Sequence, residues 1–247
     1  MSMASTWPYP KWIAHRGAGK RAPENTLAAF KLGASLGYRM FECDVQVSAD
    51  GVPFLLHDDT LDRTTNGLGL ACAHTWAELR MLDAGSWHSS EFAGEPIPCL
   101  SEIAEFCRQQ QLLLNIEIKP SPGEEERCGH LIAQAVAHEW AGQGGAFAWP
   151  LLSSFKPESL LASKLAAPHL QRALLLEEVQ PDSLDIANSL ECVAVVLEQS
   201  QWSPTLVRAV SSRAIAPMTY TVNEASRARE LALMGVVGLI TDALPPF

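Results

Sequence analysis

Basic residues are scarce in this sequence of 247 residues. Its 18 lysines and arginines stand against 28 aspartates and glutamates, which gives a formal net charge of −10. Proteins that bind nucleic acids or anionic membranes do so through excess positive charge. We therefore expect no nucleic-acid partner, and any anionic ligand must be bound by a local group of basic side chains.

Long apolar runs and paired cysteine motifs are lacking as well. No stretch of about 18 apolar residues is long enough to span a membrane, and the first residues show no basic and then apolar leader pattern. The six cysteines form no CxxC pair and show no zinc-finger spacing, so we expect reduced cysteines that pack as small apolar side chains. These absences predict a cytoplasmic protein without stable membrane insertion. Nothing in the sequence bears on the oligomeric state.

What the sequence does contain is an alternation of short β-rich runs and amphipathic helical patterns. Eight candidate strands lie at residues 11–15, 39–47, 112–119, 150–155, 172–176, 192–197, 215–222 and 236–241. Between several of them apolar residues recur at spacings of three and four, which fills one face of a helix. For a chain of about 250 residues the pattern predicts one α/β domain over residues 1–247, a (β/α)8 TIM barrel. A doubly wound sheet remains the alternative on pattern alone.

Two segments depart from this alternation. Residues 58–98 are rich in turn signals and follow the hairpin-like pair Asp50-Gly51, so we predict a small insertion above the barrel, after strand two. A connection of this length is unusual unless it serves a function. After the eighth candidate strand only DALPPF follows, which leaves that strand without an outer helix of its own.

Carboxylates inside two candidate strands need a physical reason, because barrel strands are buried on both faces and read as apolar runs. Glu42 and Asp44 stand two apart in FECDVQV, and Glu117 and Lys119 stand two apart in NIEIKP. Period-two alternation puts each pair on one strand face, about 7 Å apart. Buried charges are costly unless they are paired or bind a metal. Two explanations remain open: a Glu–Lys ion pair with an extra carboxylate, or a three-carboxylate site for a hard divalent cation.

Two histidines favour the cation site. His15 ends the first candidate strand and His57 ends the apolar run after the second, where barrel strands deliver residues to the carboxyl-terminal rim. A single histidine there is more often structural, but two beside paired carboxylates are harder to explain as structural residues. Together with a divalent cation, Arg16 and Lys119 bring the charge of the site to about +1, which suits a monoanionic phosphodiester.

Several short motifs occur in order along the chain. They are HRG (15–17), PENT (23–26), ECDV (42–45), LLHDDTLDRTTNG (55–67), NIEIK (115–119), YTVN (220–223) and GLITD (238–242). In this order they resemble the glycerophosphodiester phosphodiesterase family, from about residue 11 to residue 243. The resemblance implies a TIM barrel with an insertion after strand two. It also implies cleavage of small-molecule glycerophosphodiesters, such as glycerophosphocholine, to glycerol 3-phosphate and an alcohol.

The resemblance further implies roles for individual residues. Glu42, Asp44 and Glu117 would hold one divalent cation, Mg or Ca; His15 and His57 would be the acid–base pair; and Arg16, Lys119 and Tyr220 would bind the substrate. Two positions depart from the family pattern. Tyr220 stands where tryptophan is usual on the glycerol side of the pocket, and Val237 replaces an acidic residue. We expect Tyr220 to affect specificity for the glycerol or the headgroup, and Val237 to affect local stability or packing without loss of chemistry.

Two other functions share parts of this pattern. A phospholipase D-like phosphodiesterase acting on lysophospholipids would need an apolar or membrane-facing rim, which the acidic sequence does not suggest. A non-catalytic barrel that binds a phosphate ligand would need the cation, Arg16 and Lys119, but not a pair of histidines.

Three polar residues near these motifs are expected to have supporting roles. Asn25 or Thr26 is placed to cap the first helix, and a hydrogen bond from Asn25 to the site is the alternative. Asp58 either orients the imidazole of His57 or begins a turn.

Overall fold

Strands and helices alternate along the computed structural model of the chain, which describes residues 7–142 and 149–243. The strands found there are β1 (Trp12–Ala14), β2 (Met40–Val47), β3 (Pro53–Leu55), β4 (Leu113–Ile118), β5 (Leu151–Ser154), β6 (Gln171–Leu176), β7 (Ala194–Glu198), β8 (Ala216–Tyr220) and β9 (Gly238–Thr241). The helices are α1 (Leu27–Ser35), α2 (Trp76–Leu79), α3 (Leu100–Gln110), α4 (Glu125–Glu139), α5 (Pro157–Ala166), α6 (Ser183–Ser189), α7 (Pro204–Ser211) and α8 (Ala225–Met234).

All strands except β3 form a closed parallel barrel. The neighbours run in the order β1, β2, β4, β5, β6, β7, β8 and β9, and β9 pairs with β1 to close the ring. β3 pairs antiparallel with the end of β2, across a turn in which Gly51 has a φ of 87°. The predicted (β/α)8 TIM barrel is confirmed, and the doubly wound alternative is wrong.

Side chains along each barrel strand alternate between the interior and the layer beneath the helices. The lower interior is filled by small and medium apolar side chains: Ile13, Met40, Leu151, Ala173, Leu175, Ala194, Val196, Ala216, Met218 and Ile240. The outward positions pack against the helices in two larger apolar clusters. Burial of these faces is what stabilises the barrel.

Toward the carboxyl ends of the strands the inward positions become polar. Along β2, Met40 is followed on the same face by Glu42 and Asp44, and along β4, Leu113 is followed by Asn115 and Glu117. The barrel therefore has an apolar lower interior and a polar upper end, where active sites of this fold lie.

Residues 56–99, between β3 and α3, lie outside the strand and helix alternation and are referred to below as the insertion. The insertion holds α2 and two short 3₁₀ turns, Ala71–Ala73 and Ser90–Phe92. Its buried apolar side chains form a cluster of their own around Phe54 of β3. The insertion therefore rests on the hairpin strand through a separate small core.

The two chain ends are described only in part. Asp242 and Ala243 follow β9 without a helix, while the rest of the DALPPF tail and the first six residues, where no leader pattern was predicted, lie outside the described residues. That residues 1–247 form one domain accordingly stays a prediction. No helix within residues 7–142 or 149–243 has the length and apolar character needed to cross a membrane.

Candidate active site

β1 ends in a tight turn that presents His15 and Arg16. Arg16 has a φ of 51° and Gly17 a φ of 96°, and a Cβ on Gly17 would lie 2.8 Å from the Cβ of Ala29. Glycine is the residue that accepts both this φ and this close approach. The turn also places the Arg16 backbone N–H to donate to Glu42 Oε2 at 3.1 Å, which ties the end of β1 to β2.

Three carboxylates meet at the polar end of the barrel. One oxygen from each of Glu42, Asp44 and Glu117 lies within 4.8 Å of the other two, and the described residues contain no second group of this kind. Glu42 and Asp44 are only 3% and 1% exposed, so water does little to solvate their charges. Burial, with the nearby charges of Asp44 and Glu117, raises the pKa of Glu42 well above its usual range. Burial and the charge of Asp44 raise the pKa of Glu117 to about 7.

This carboxylate cluster fits a hard divalent cation. Glu42 Oε1 is buried and has no hydrogen-bond partner among the described residues, and the same is true of both amide atoms of Asn115. Oxygen ligands are those that Mg²⁺ and Ca²⁺ prefer. Burial first, and then the charges of neighbouring carboxylates, raise the pKa values of Glu42 and Glu117, and a bound cation would offset both effects.

Two basic side chains flank the cluster on the side of Asp44. Arg16 Nε lies 3.3 Å from Asp44 Oδ2, and Lys119 Nζ lies 4.0 Å from Asp44 Oδ1 and 3.4 Å from Glu117 Oε1. Burial acts to raise the pKa of Asp44, but the charges of Arg16, His57 and Lys119 hold it below its usual value. Asp44 therefore stays ionised and positions both cations beside the carboxylates.

Asn25 and Thr26 have different roles: one caps α1 and the other forms hydrogen bonds to the site. Thr26 Oγ1 accepts a hydrogen bond from the backbone N–H of Ala29 at 3.3 Å and caps α1. Asn25 instead donates from its amide to Asp44 Oδ2 at 2.8 Å and accepts from the Asp44 backbone N–H at 3.1 Å. Asn25 thus supports the site, and the cap falls to Thr26.

Each predicted catalytic histidine is paired with an aspartate through Nδ1. His15 Nδ1 lies 2.7 Å from Asp242 Oδ1, and His57 Nδ1 lies 2.7 Å from Asp58 Oδ1. Because a carboxylate beside Nδ1 fixes the tautomer and the ring, Nε2 is left for proton transfer. Burial lowers the pKa of His57, against the opposing charge of Asp44. Asp58 therefore orients His57, as one of its two predicted roles requires.

Arg63 of the insertion supports the second of these pairs. It donates to both carboxylate oxygens of Asp58, at 2.6 and 2.9 Å, and to both of Glu24, at 2.9 and 2.8 Å. Glu24 also accepts from Arg16 Nη1 at 2.8 Å. The hydrogen bonds from Arg63 keep the pKa of Asp58 well below its usual value. A continuous polar chain thus links the insertion to the turn after β1.

The predicted residues surround one cavity of about 420 Å³. Its walls contain seven of the eight predicted side chains, namely His15, Arg16, Glu42, His57, Glu117, Lys119 and Tyr220, while Asp44 lies behind them. The far wall adds Phe155 and Glu177. A second cavity, of about 450 Å³ beside Cys72 and Cys128, has neither the histidine pairs nor the carboxylate cluster. The candidate site is therefore distinguished by the side chains that line its cavity and not by the volume of that cavity.

Comparison with known proteins identifies the class of enzyme. The model of the glycerophosphoryl diester phosphodiesterase family matches residues 15–244. The chain belongs to this family. A glycerophosphodiester phosphodiesterase of Caldanaerobacter subterraneus subsp. tengcongensis is 36% identical over 234 residues, which are 93% of this chain and 93% of that protein. The resemblance of the motifs is confirmed, and with it the assignment as a phosphodiesterase.

Solved structures of relatives agree with this membership of the glycerophosphoryl diester phosphodiesterase family. A phosphodiesterase of Oleispira antarctica, in complex with the product sn-glycerol-3-phosphate, has a TM-score of 0.89 at 33% identity and covers 98% of this chain and 96% of its own. A glycerophosphodiester phosphodiesterase of Agrobacterium tumefaciens has a TM-score of 0.77 at 28% identity, with 95% and 96% covered.

The two residues that we expect to depart from the family pattern lie at opposite ends of the barrel. Tyr220 is in the cavity wall, its ring meets Phe155 edge to face at 5.8 Å, and its hydroxyl donates to the Leu176 carbonyl at 3.1 Å. Val237 immediately precedes β9 and packs with the apolar cluster of the lower interior, whereas Asp242 follows the other end of that strand. The change at Val237 is therefore remote from the carboxylates.

Among the residues near the site that were not predicted, four make or could make polar contacts with its predicted residues: Glu24, Arg63, Asn115 and Asp242. For Asn115 a signal was available, because it stands two before Glu117 and so shares its inward strand face. The other three lie in turns, where no periodicity marks the direction of a side chain.

Proposed function

We propose that the chain hydrolyses glycerophosphodiesters to sn-glycerol 3-phosphate and an alcohol, with one divalent cation, Mg or Ca, and with His15 and His57 as acid and base. One observation carries the proposal: two histidine–aspartate pairs and two basic side chains surround a cluster of buried carboxylates in a single cavity. A phosphate-binding barrel without activity has no need of the two oriented imidazoles.

Phosphate binding falls to Arg16 and Lys119. Both line the cavity, and both lie beside Asp44, so their positive charges are held at the cluster without a substrate. Arginine offers a planar fork for two phosphate oxygens and lysine a point charge. When bound by Glu42, Asp44 and Glu117, a divalent cation would supply further positive charge that polarises a phosphate oxygen.

Proton transfer falls to the two histidines. One imidazole takes the proton of the substrate's glycerol 2-hydroxyl while that oxygen forms a bond to phosphorus. The bond from phosphorus to the headgroup oxygen breaks, and the other imidazole protonates that oxygen, so the headgroup leaves as an alcohol. Water then opens the cyclic phosphate with the two roles exchanged, which yields glycerol 3-phosphate. Rapid quenching tests this route, because direct attack by water would form no cyclic phosphate.

The decisive experiment measures glycerol 3-phosphate released from glycerophosphocholine with and without EDTA. We expect EDTA to abolish activity, and His15→Ala and His57→Ala each to lower kcat by about 10²-fold or more. His138→Ala is the matched control, since that side chain is 87% exposed on α4 and should keep the parent rate. Activity that survives chelation and either active-site substitution would overturn the proposed function.

A further inference from the structure

Two of the six cysteines, Cys72 and Cys128, line the second cavity, which shares no wall residue with the candidate active site. Cys72 lies in the 3₁₀ turn Ala71–Ala73 of the insertion, and Cys128 lies near the start of α4. The insertion and an outer helix of the barrel therefore present one thiol each to a single cavity of about 450 Å³.

Backbone contacts hold both of these elements against the same turn after β2. The Ala49 N–H donates to the carbonyl of His74, two residues beyond Cys72, at 2.9 Å. Arg127, the residue before Cys128, has its Nη2 atom 3.5 Å from the carbonyl oxygen of Ala49. Ala49 also lines the cavity, so one residue of the turn contacts the neighbours of both cysteines.

The two thiols also influence one another. Cys128 is only 3% exposed, and burial is the largest cause that raises the pKa of its thiol to about 11. The charges of Glu124 and Cys72 raise this pKa further, while the charge of Arg127 and a hydrogen bond from the backbone N–H of Ser121 oppose the rise. The sulfur of Cys128 is therefore close enough to that of Cys72 to interact with it.

The two thiols differ in their access to solvent. Cys72 is the one cysteine of the chain that is not buried, so a small oxidant reaches it first. The buried Cys128 is then the nearby partner within the protein. Cys43 and Cys107 also influence one another, but both are 0% exposed and are shielded from oxidants.

A metal site does not account for this pair of thiols. A structural zinc ion has four protein ligands, and a catalytic zinc ion has three. Within residues 7–142 and 149–243, the carboxylate cluster is the only group of three metal-ligating side chains whose ligand atoms lie within 4.8 Å of one another. Redox chemistry is the other reaction that two neighbouring thiols support.

We propose that Cys72 and Cys128 are a redox pair, which a low-molecular-weight disulfide of glutathione type oxidises to a covalent bond between the insertion and α4. The Cys72 thiolate attacks one sulfur of the small disulfide and bonds to it, and one small thiol leaves. The Cys128 sulfur then attacks the Cys72 sulfur, the protein disulfide forms, and the second small thiol leaves. The two cysteine protons end on the two small thiols, so the small disulfide is reduced as the protein is oxidised.

This bond would attach the insertion to the barrel covalently, in addition to its hydrogen bonds. A cross-link restricts the unfolded chain, and we expect a rise in Tm of about 5 °C. The inference does not depend on the proposed function, because the bond and the rise in Tm are measured without a substrate.

The test treats the folded chain with oxidised glutathione, counts its thiols after denaturation and maps its disulfides by mass spectrometry without reduction. We expect the loss of two of the six thiols, a bond between Cys72 and Cys128, the rise in Tm, and reversal of all three by dithiothreitol. Cys72→Ser changes the exposed member of the pair, so it should fold and then keep all of its remaining thiols.

Cys99→Ser is the matched control for the loss of a thiol from the insertion. Cys99 is the N-cap residue of α3, a position that serine suits, and it does not line the cavity. This variant should form the bond between Cys72 and Cys128 as the unsubstituted chain does.

Several results would overturn the inference. The folded chain keeps all six thiols, stops at a mixed disulfide on Cys72, or forms a bond between other cysteines. Cys72→Ser loses thiols as fast as the unsubstituted chain. The bond forms only after unfolding in urea, which would show that the fold keeps the two sulfurs apart. A bond that forms without any rise in Tm would contradict the attachment of the insertion.

Discussion

At the scale of single residues, the site depends on carboxylates that are themselves held in place. Asp242 binds His15 Nδ1 through one oxygen and accepts from the Asn223 amide at 2.9 Å through the other, while its backbone N–H donates to Asn223 Oδ1 at 2.8 Å. Asp58 is held in the same way between His57 and Arg63. Each imidazole is therefore oriented before a substrate arrives.

An Asp242→Asn variant tests whether Asp242 orients the His15 imidazole or takes part in substrate binding. Asp242→Asn keeps the shape of the side chain but removes the charge that fixes the His15 ring, so we expect kcat to fall by about 10²-fold with little change in KM. Steady-state kinetics with glycerophosphocholine give both constants. Asp182→Asn, an exposed residue that begins α6 without a side-chain cap, is the control. A rise in KM at constant kcat would show that Asp242 acts in substrate binding instead.

At the scale of elements, the barrel alone does not complete the site. β1, β2, β4 and β8 supply the proposed cation ligands and substrate-binding residues at or next to their carboxyl ends, but His57 and its partner Asp58 belong to the insertion. The polar link from Arg63 to Glu24 spans 39 residues and joins the insertion to the turn after β1. The position of one of the two proposed catalytic histidines thus depends on the contacts that attach the insertion to the barrel.

The Arg63→Met variant tests whether the ion pairs of Arg63 attach the insertion to the barrel, because their contribution to the free energy of unfolding depends on pH. Hydrogen bonds from Arg63 lower the pKa of Asp58. Burial acts to raise the pKa of Glu24, but the hydrogen bonds and charges of Arg63 and Arg16 together lower it. A depressed folded-state pKa contributes stability above the unfolded value, about 4 for these groups, and loses it as the pH falls below that. Since the Arg63 side chain is 44% exposed, solvent screens its ion pairs. We therefore expect Arg63→Met to lower the free energy of unfolding by about 1 kcal/mol at pH 7.

Urea unfolding at a series of pH values measures this difference. The difference in the free energy of unfolding between the unsubstituted chain and Arg63→Met, referred to below as the gap, should shrink steadily below about pH 4. Arg80→Met, an exposed arginine of the same insertion, should show no comparable gap. A gap that stays constant from neutral to acid pH would mean that Arg63 acts through packing rather than through its ion pairs.

At the scale of the whole molecule, the sequence predicted features that depend on local alternation. It did not predict contacts that form only when the barrel closes. Strand alternation identified all eight barrel strands, with ends that differ by at most two residues, as at 236–241 against Gly238–Thr241. The same alternation placed Glu42, Asp44 and Glu117 at one end. The pairing of His15 with Asp242 joins residues 227 apart, because β9 closes the ring against β1, and no local pattern reports that contact.

Binding of the proposed cation at the carboxylate cluster would couple the stability of the whole barrel to that cation. Glu42, Asp44 and Glu117 repel one another only in the folded chain, so a divalent cation that binds there stabilises the folded state. At a concentration of about 100 times Kd the gain is about 2.7 kcal/mol, or a rise in Tm of about 5–10 °C for a chain of this size.

Calorimetry of the EDTA-treated chain, with and without Mg²⁺ or Ca²⁺ at constant ionic strength, measures that rise. Glu42→Gln removes a buried cation ligand whose pKa is raised in the absence of a cation, so the cation-free variant should melt no lower than the parent chain and lose most of the rise caused by the cation. Glu91→Gln, in the exposed 3₁₀ turn of the insertion, should behave like the parent. An equal rise in Glu42→Gln would place the cation away from the carboxylate cluster.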